Sequence, residues 1–292
     1  MTGVGLALLC SLCWAAGSVS MKRLSGKLDP FTLNAPRSLI AGLALLGVAA
    51  ATGRTAGARD LSPEAILLMV GSMAVGGGLG DSLYVLSMSR IGLSRAYPIA
   101  GTYPAVTLLL AVLFMHEVVT VELVAGLALV VGGVMLISRP AAADGEQGAG
   151  GAARTTGIGL ALLAAVCWAG SAIMLGPGAA EVDPILVSSI RIPALALMFW
   201  GLVALRRSGR ALLALSRREW FTMLFGGLIG WGLGSLLFVM AIGALGPART
   251  AILTSTSPLF AIPLTAMFLN ERPSRAVMLG TAVTVVGVAL VS

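Results

Sequence analysis

An aspartate inside an apolar run is the residue of this chain with most chemistry to offer. Asp81 stands in GGGLGDSLYVLS, Gly76 to Ser87, with Tyr84 three residues on and so on the same face of any helix there. An isolated carboxylate in hydrocarbon is costly, so such a residue is a candidate for function, proton coupling above all, unless the span ends early and leaves it at a wet mouth. Aromatic and hydroxyl groups recur along other apolar stretches: Trp14 and Trp168, then Tyr97, Thr102 and Tyr103 before Pro104, then Thr254, Ser255, Thr256 and Ser257 before Pro258. Indoles stack and donate one N–H, hydroxyls donate and accept, and a proline removes a backbone hydrogen bond, leaving a carbonyl to be satisfied at depth. What is missing narrows the class. The chain has one histidine, His116, and the sequence pairs it with neither a nucleophile nor a cluster of acids. There is no G-x-x-x-x-G-K-[ST] phosphate loop. Cys10, Cys13 and Cys167 have no further ligand types around them and read as small apolar residues. These residues suit binding rather than catalysis, and neither a cofactor nor a metal is expected.

The elements that must position them are membrane helices. Of 292 residues, 58% are hydrophobic and 11% charged, with 38 glycines, and the mean hydropathy of +0.98 is beyond what soluble domains sustain. Apolar runs are about 20 residues long, enough for a helix to cross roughly 30 Å of hydrocarbon, and the alternating ten-residue strands of a barrel are absent. Ten spans are expected, at about 2–22, 30–51, 64–89, 94–115, 119–138, 156–175, 184–205, 219–243, 248–269 and 274–291. The net charge of +7 is spread over short loops, which argues against nucleic acid as a partner. Lipid and a small molecule are the partners left.

The chain is also written twice. GLALLCSLCWA, Gly5 to Ala15, returns as GLALLAAVCWA, Gly159 to Ala169, and a shift of 154 places also matches Asp29 with Asp183, Arg37 with Arg191, Pro104 with Pro258 and Gly133 with Gly287. Residues 1–138 and 155–292 thus form two five-helix repeats joined by a Gly/Ala-rich linker at 139–154. Five is odd, so the second copy enters the membrane from the opposite face, which makes an inverted repeat and a pseudo-dimer within one chain. In this register Asp81 falls on Ser235 and Tyr84 on Phe238. Any charge role therefore belongs to one half. Most Lys and Arg, from Lys22 to Arg275, fall on one face, against Arg54, Arg59 and Arg249 on the other, which places the termini outside.

The opening Trp-Ala run, the Asp-Pro before span two with an Arg inside it, the proline of span four, the Glu ending it and the glycine-spaced last helix occur in both halves. Together they resemble the EamA branch of the drug/metabolite transporter superfamily, end to end. The resemblance implies a ten-helix carrier of amino acids or other small metabolites, often an exporter in a bacterial-type inner membrane, with a central cavity built by spans 1, 3, 4, 6, 8 and 9. It also implies cytoplasmic termini, opposite to the charge reading. Small multidrug-resistance relatives use a Glu in span 1, where this chain has Trp14 and Trp168 in spans 1 and 6 and no acid.

The sequence therefore leads to an all-α integral membrane protein acting as a secondary transporter by alternating access, with an amino acid, aromatic or apolar, as the expected substrate. A multidrug carrier for cations is the alternative; an intramembrane enzyme or an ion channel lacks its residues. Substrate is expected between Trp14, Tyr84 and Tyr103 on one side and Trp168, Thr254 and Ser257 on the other, because the inversion axis brings equivalent positions to one depth. Asp81, Tyr97, Thr102, Ser235 and Phe238 are expected to line the same site, with Pro104 and Pro258 as kinks. Arg37 and Arg191 are expected to snorkel or to form buried ion pairs rather than to contact substrate, His116, Glu117 and Glu271 to be structural, and spans 5 and 10 to pack through their glycines.

Overall fold

The computed structural model describes the chain apart from residues 1, 23, 25–26, 92–95, 97–98, 138–150, 180–181 and 270–274. The described residues form helices α1 (Gly3–Lys22), α2 (Pro30–Ala51), α3 (Pro63–Ile91), α4 (Tyr103–Met115), α5 (Val121–Ile137), α6 (Gly151–Ala179), α7 (Pro184–Arg206) and α8 (Arg217–Leu245). The ninth span is broken into α9 (Pro247–Thr254) and α10 (Ser257–Leu269), and α11 (Arg275–Val291) closes the chain. Helix α6 begins at Gly151, within the stretch read as linker, where Ala152, Ala153 and Arg154 favour helix once a span is there to extend.

The repeated Asp-Pro is a helix start. Asp29 Oδ1 accepts from Phe31 N at 3.1 Å and Thr32 N at 3.2 Å, and Asp183 Oδ1 from Ile185 N at 2.9 Å and Leu186 N at 3.3 Å. The proline that follows each aspartate occupies the first helical position, where no donor is lost. Apolar side chains also stand outward: Leu43, Leu67, Leu109 and Leu197 are all exposed, as helices facing lipid require.

The chain divides into two compact units, each drawing on both sequence halves. The first contains Met1–Ala74 and Met174–Gly246. Its core lies between α2 and α7, where Phe31, Leu45, Ile192, Leu195 and Phe199 are buried together. The second contains Val75–Ile173 and Pro247–Ser292. Here the glycine faces of α5 and α11 meet as expected, since a Cβ built on Gly133 would lie 2.7 Å from the carbonyl oxygen of Gly280 and 2.8 Å from the amide nitrogen of Thr284. Gly133→Leu should therefore abolish most folded, monodisperse protein in size-exclusion chromatography. Gly132→Leu should not, because nothing lies within 4 Å of the Cβ position at Gly132.

The α4–α5 connection belongs to the second unit. His116 ends α4 in the left-handed region at φ 54°, tolerated better by histidine than by most residues. Burial raises the pKa of the neighbouring Glu117, against smaller lowering by a hydrogen bond with the Ala248 backbone and by the Arg249 charge. Its Oε2 is buried without a hydrogen-bond partner among the described residues. The folded state thus binds this proton more tightly than the unfolded chain does. Stability should fall as pH rises from the ordinary carboxylate value through the raised one, and Glu117→Gln should flatten that part of a melting-temperature profile.

Candidate functional site

Asp81 is positioned by an irregularity in α3. The run Ala74–Gly80, AVGGGLG, is wound as a π-helix, and so is Gly227–Gly234 in α8 at the matching repeat position. Such wide turns are rare and concentrate at functional places. The glycines also let an indole press on the backbone. A Cβ on Gly80 would lie 2.9 Å from Trp168 Cδ1, and one on Gly234 would lie 2.8 Å from Trp14 Cδ1. Each unit thus holds one tryptophan against its own π-helical glycine.

Around Trp168, in the second unit, the surroundings are polar. The indole N–H donates to Asp81 Oδ1 at 2.8 Å, a charge-assisted bond when the carboxylate is ionised. The Tyr84 ring lies 5.3 Å from the indole, tilted by 58°, and the Tyr103 ring 5.9 Å away, edge-on at 85°, both within the range of favourable aromatic pairs. Tyr103 Oη donates to the Ala251 carbonyl at 3.1 Å and shares a 3.2 Å hydrogen bond with Thr254 Oγ1. Asp81, Tyr84, Tyr103 and Trp168 are half-buried, whereas Thr254 is buried. The unit gathers five expected site residues from four spans around one carboxylate.

The proline positions lie in the same unit. The fourth span turns at Gly101 and Thr102 before α4, the ninth at Ser255 and Thr256 before α10, and Pro104 and Pro258 each stand second in the helix that follows. Neither proline leaves a bare end. Thr102 Oγ1 donates to the Ile99 carbonyl at 2.7 Å, Thr256 Oγ1 to that of Leu253 at 2.6 Å and Ser257 Oγ to that of Thr254 at 2.9 Å. These hydroxyls close the breaks themselves, a common role in membrane helices.

In the first unit the equivalent place is apolar. Trp14 packs on Phe238 with ring centroids 5.3 Å apart, and buried Ser235 occupies the aspartate's repeat position. Cys10 Sγ donates to the Gly234 carbonyl at 3.2 Å. Tyr97 and Glu271 lie outside the described residues. Asn34 Oδ1, which accepts from Arg37 Nη1 at 2.8 Å, was not anticipated from the sequence.

Comparison with known proteins agrees with this architecture. The model of the EamA-like transporter family matches residues 1–139 and 155–292. An uncharacterized transporter of Archaeoglobus fulgidus is 27% identical over 290 residues, covering 99% of this chain and 98% of its own. A solved crystal structure superposes with a TM-score of 0.80 over 99% of this chain and 95% of its own at 18% identity, which speaks for the fold alone. With all but residues 140–154 taken up by two matched segments, the chain belongs to the EamA-like transporter family: an all-α multi-pass membrane protein of ten transmembrane helices in two inverted five-helix repeats, and a membrane transporter of small molecules.

Proposed function

We propose that the protein is a secondary transporter for a neutral amino acid with an apolar or aromatic side chain, working as a monomer by alternating access in a bacterial-type inner membrane, in the export direction. The observation that supports this reading is the Asp81 carboxylate held by the Trp168 N–H, with the rings of Tyr84 and Tyr103 packed against that indole. One anionic group flanked by aromatic faces suits an ammonium, which gains both a charge-assisted hydrogen bond and a cation–π contact. The Tyr103 and Thr254 hydroxyls supply neutral polar groups. Multiply phosphorylated substrates would need several cations, and Asp81, Tyr84, Tyr103, Trp168 and Thr254 supply none.

The same carboxylate and rings favour a second reading, an efflux carrier for organic cations. Competition separates the two. With the protein in proteoliposomes and a labelled neutral amino acid as tracer, unlabelled leucine or phenylalanine should suppress counterflow while tetraphenylphosphonium should not. Suppression by the cation alone would overturn the amino-acid reading.

A further inference from the structure

Each repeat buries one arginine in its second span, Arg37 in α2 and Arg191 in α7, at 3% and 2% exposure. Neither snorkels. Both lie in the first compact unit, yet they are satisfied differently. Arg37 donates from Nη1 to Asn34 Oδ1 at 2.8 Å, one turn back on α2, and from Nη2 to the Gly226 carbonyl at 3.1 Å. The repeat register replaces Asn34 by Ser188 and Gly226 by Ser72. Arg191 accordingly donates from Nε to Ser72 Oγ at 3.0 Å. The Asn34 contact has no copy: Arg191 Nη1 and Ser188 Oγ are both buried without a hydrogen-bond partner among the described residues. No described carboxylate lies within 4.0 Å of this guanidinium either.

A guanidinium cannot give up its proton, and a buried cation without a counter-charge is strongly unfavourable. Ser188 and Arg191 stand three residues apart, so both donors project from one face of α7. In the first copy Asn34 stands at the register position of Ser188 and its Oδ1 accepts from Arg37 Nη1, whereas in the second both donors are left without an acceptor among the described residues. A water molecule would satisfy the N–H and leave the charge; an anion satisfies both. A serine side chain has only two heavy atoms fewer than an asparagine's, so an occupant must be small, and the single positive charge calls for a single negative one.

We propose that Ser188 Oγ and Arg191 Nη1 bind a small monovalent anion, a halide or a compact carboxylate, inside the first unit. The site is separate from the Asp81 cluster and stands whether or not the amino-acid reading holds. The test is the thermal midpoint of the full chain in detergent, titrated with sodium chloride or sodium formate against sodium gluconate at constant ionic strength. The wild-type midpoint should rise by a few degrees with saturation in chloride or formate, as ligand linkage requires. A response to formate alone identifies a carboxylate site, and one to chloride alone a halide site. Ser188→Asn, which writes the first copy's acceptor into the second, should raise the midpoint in gluconate and remove the response. Ser188→Ala keeps the charge but loses a donor, and should raise the half-saturating concentration at least tenfold. No wild-type response to either anion, or an unchanged half-saturating concentration in Ser188→Ala, would overturn the proposal.

Discussion

Trp168→Ala should raise the half-saturating substrate concentration for counterflow by about ten- to hundredfold. The indole makes the hydrogen bond to Asp81 and touches both tyrosine rings. A hydrogen bond to a charged group contributes about 1.5–3 kcal/mol, and each 1.4 kcal/mol is a factor of ten in affinity. Truncation also leaves a cavity, which lowers the melting temperature on its own account. Trp168→Phe separates the two effects, because it keeps most of the ring volume and removes only the N–H. It should keep a near-wild-type melting temperature and still weaken substrate binding. If Trp168→Phe transports as wild type does, the indole only packs.

The second large effect is expected at Asp81. With the aspartate as proton carrier, Asp81→Asn should retain exchange of substrate across the membrane at equal pH, at a raised half-saturating concentration because the ammonium loses its charged partner, and lose accumulation driven by a pH gradient. Asparagine preserves the size of the side chain and can still accept from the Trp168 N–H, so the local packing should survive. What it cannot do is exchange a proton. Uptake assays with and without an imposed gradient read this directly, and undiminished pH-driven accumulation in the mutant would exclude coupling through this residue. Ser235, which holds the same repeat position in the first unit, can neither substitute for the charge nor report on it.

Much of the architecture was legible from the chain because the repeat states it twice. A helix start at Asp29 is repeated at Asp183, a break before Pro104 is repeated before Pro258, and the glycine spacing of spans 5 and 10 requires a close partner. The site was legible only as a set of residue types. That Trp168 donates to Asp81, 87 positions away in sequence, depends on how α6 lies along the π-helical glycines of α3, and no local pattern encodes that approach. The arginines show a different limit. Their place near the starts of spans 2 and 7 suggested snorkelling or ion pairs, whereas both are buried, Arg37 donating to Asn34 and the Gly226 carbonyl and Arg191 to Ser72. Neutral acceptors are too common in any sequence to be picked out as partners. The hydroxyls near the prolines were expected to help form a ligand site, and several of them donate to carbonyls of their own helix breaks, which leaves their oxygens as acceptors.

The most direct test of the account is counterflow with the purified protein. Proteoliposomes loaded with a high concentration of a neutral, apolar amino acid and diluted into labelled trace substrate, with no ATP and no ion gradient, should accumulate label transiently, saturably and only when the internal substrate is present. That overshoot should fall strongly in Trp168→Ala. Label that merely equilibrates at the same rate from empty and loaded vesicles for every neutral amino acid tried, or an overshoot untouched by Trp168→Ala, would contradict a carrier whose binding site is the Asp81 and Trp168 cluster.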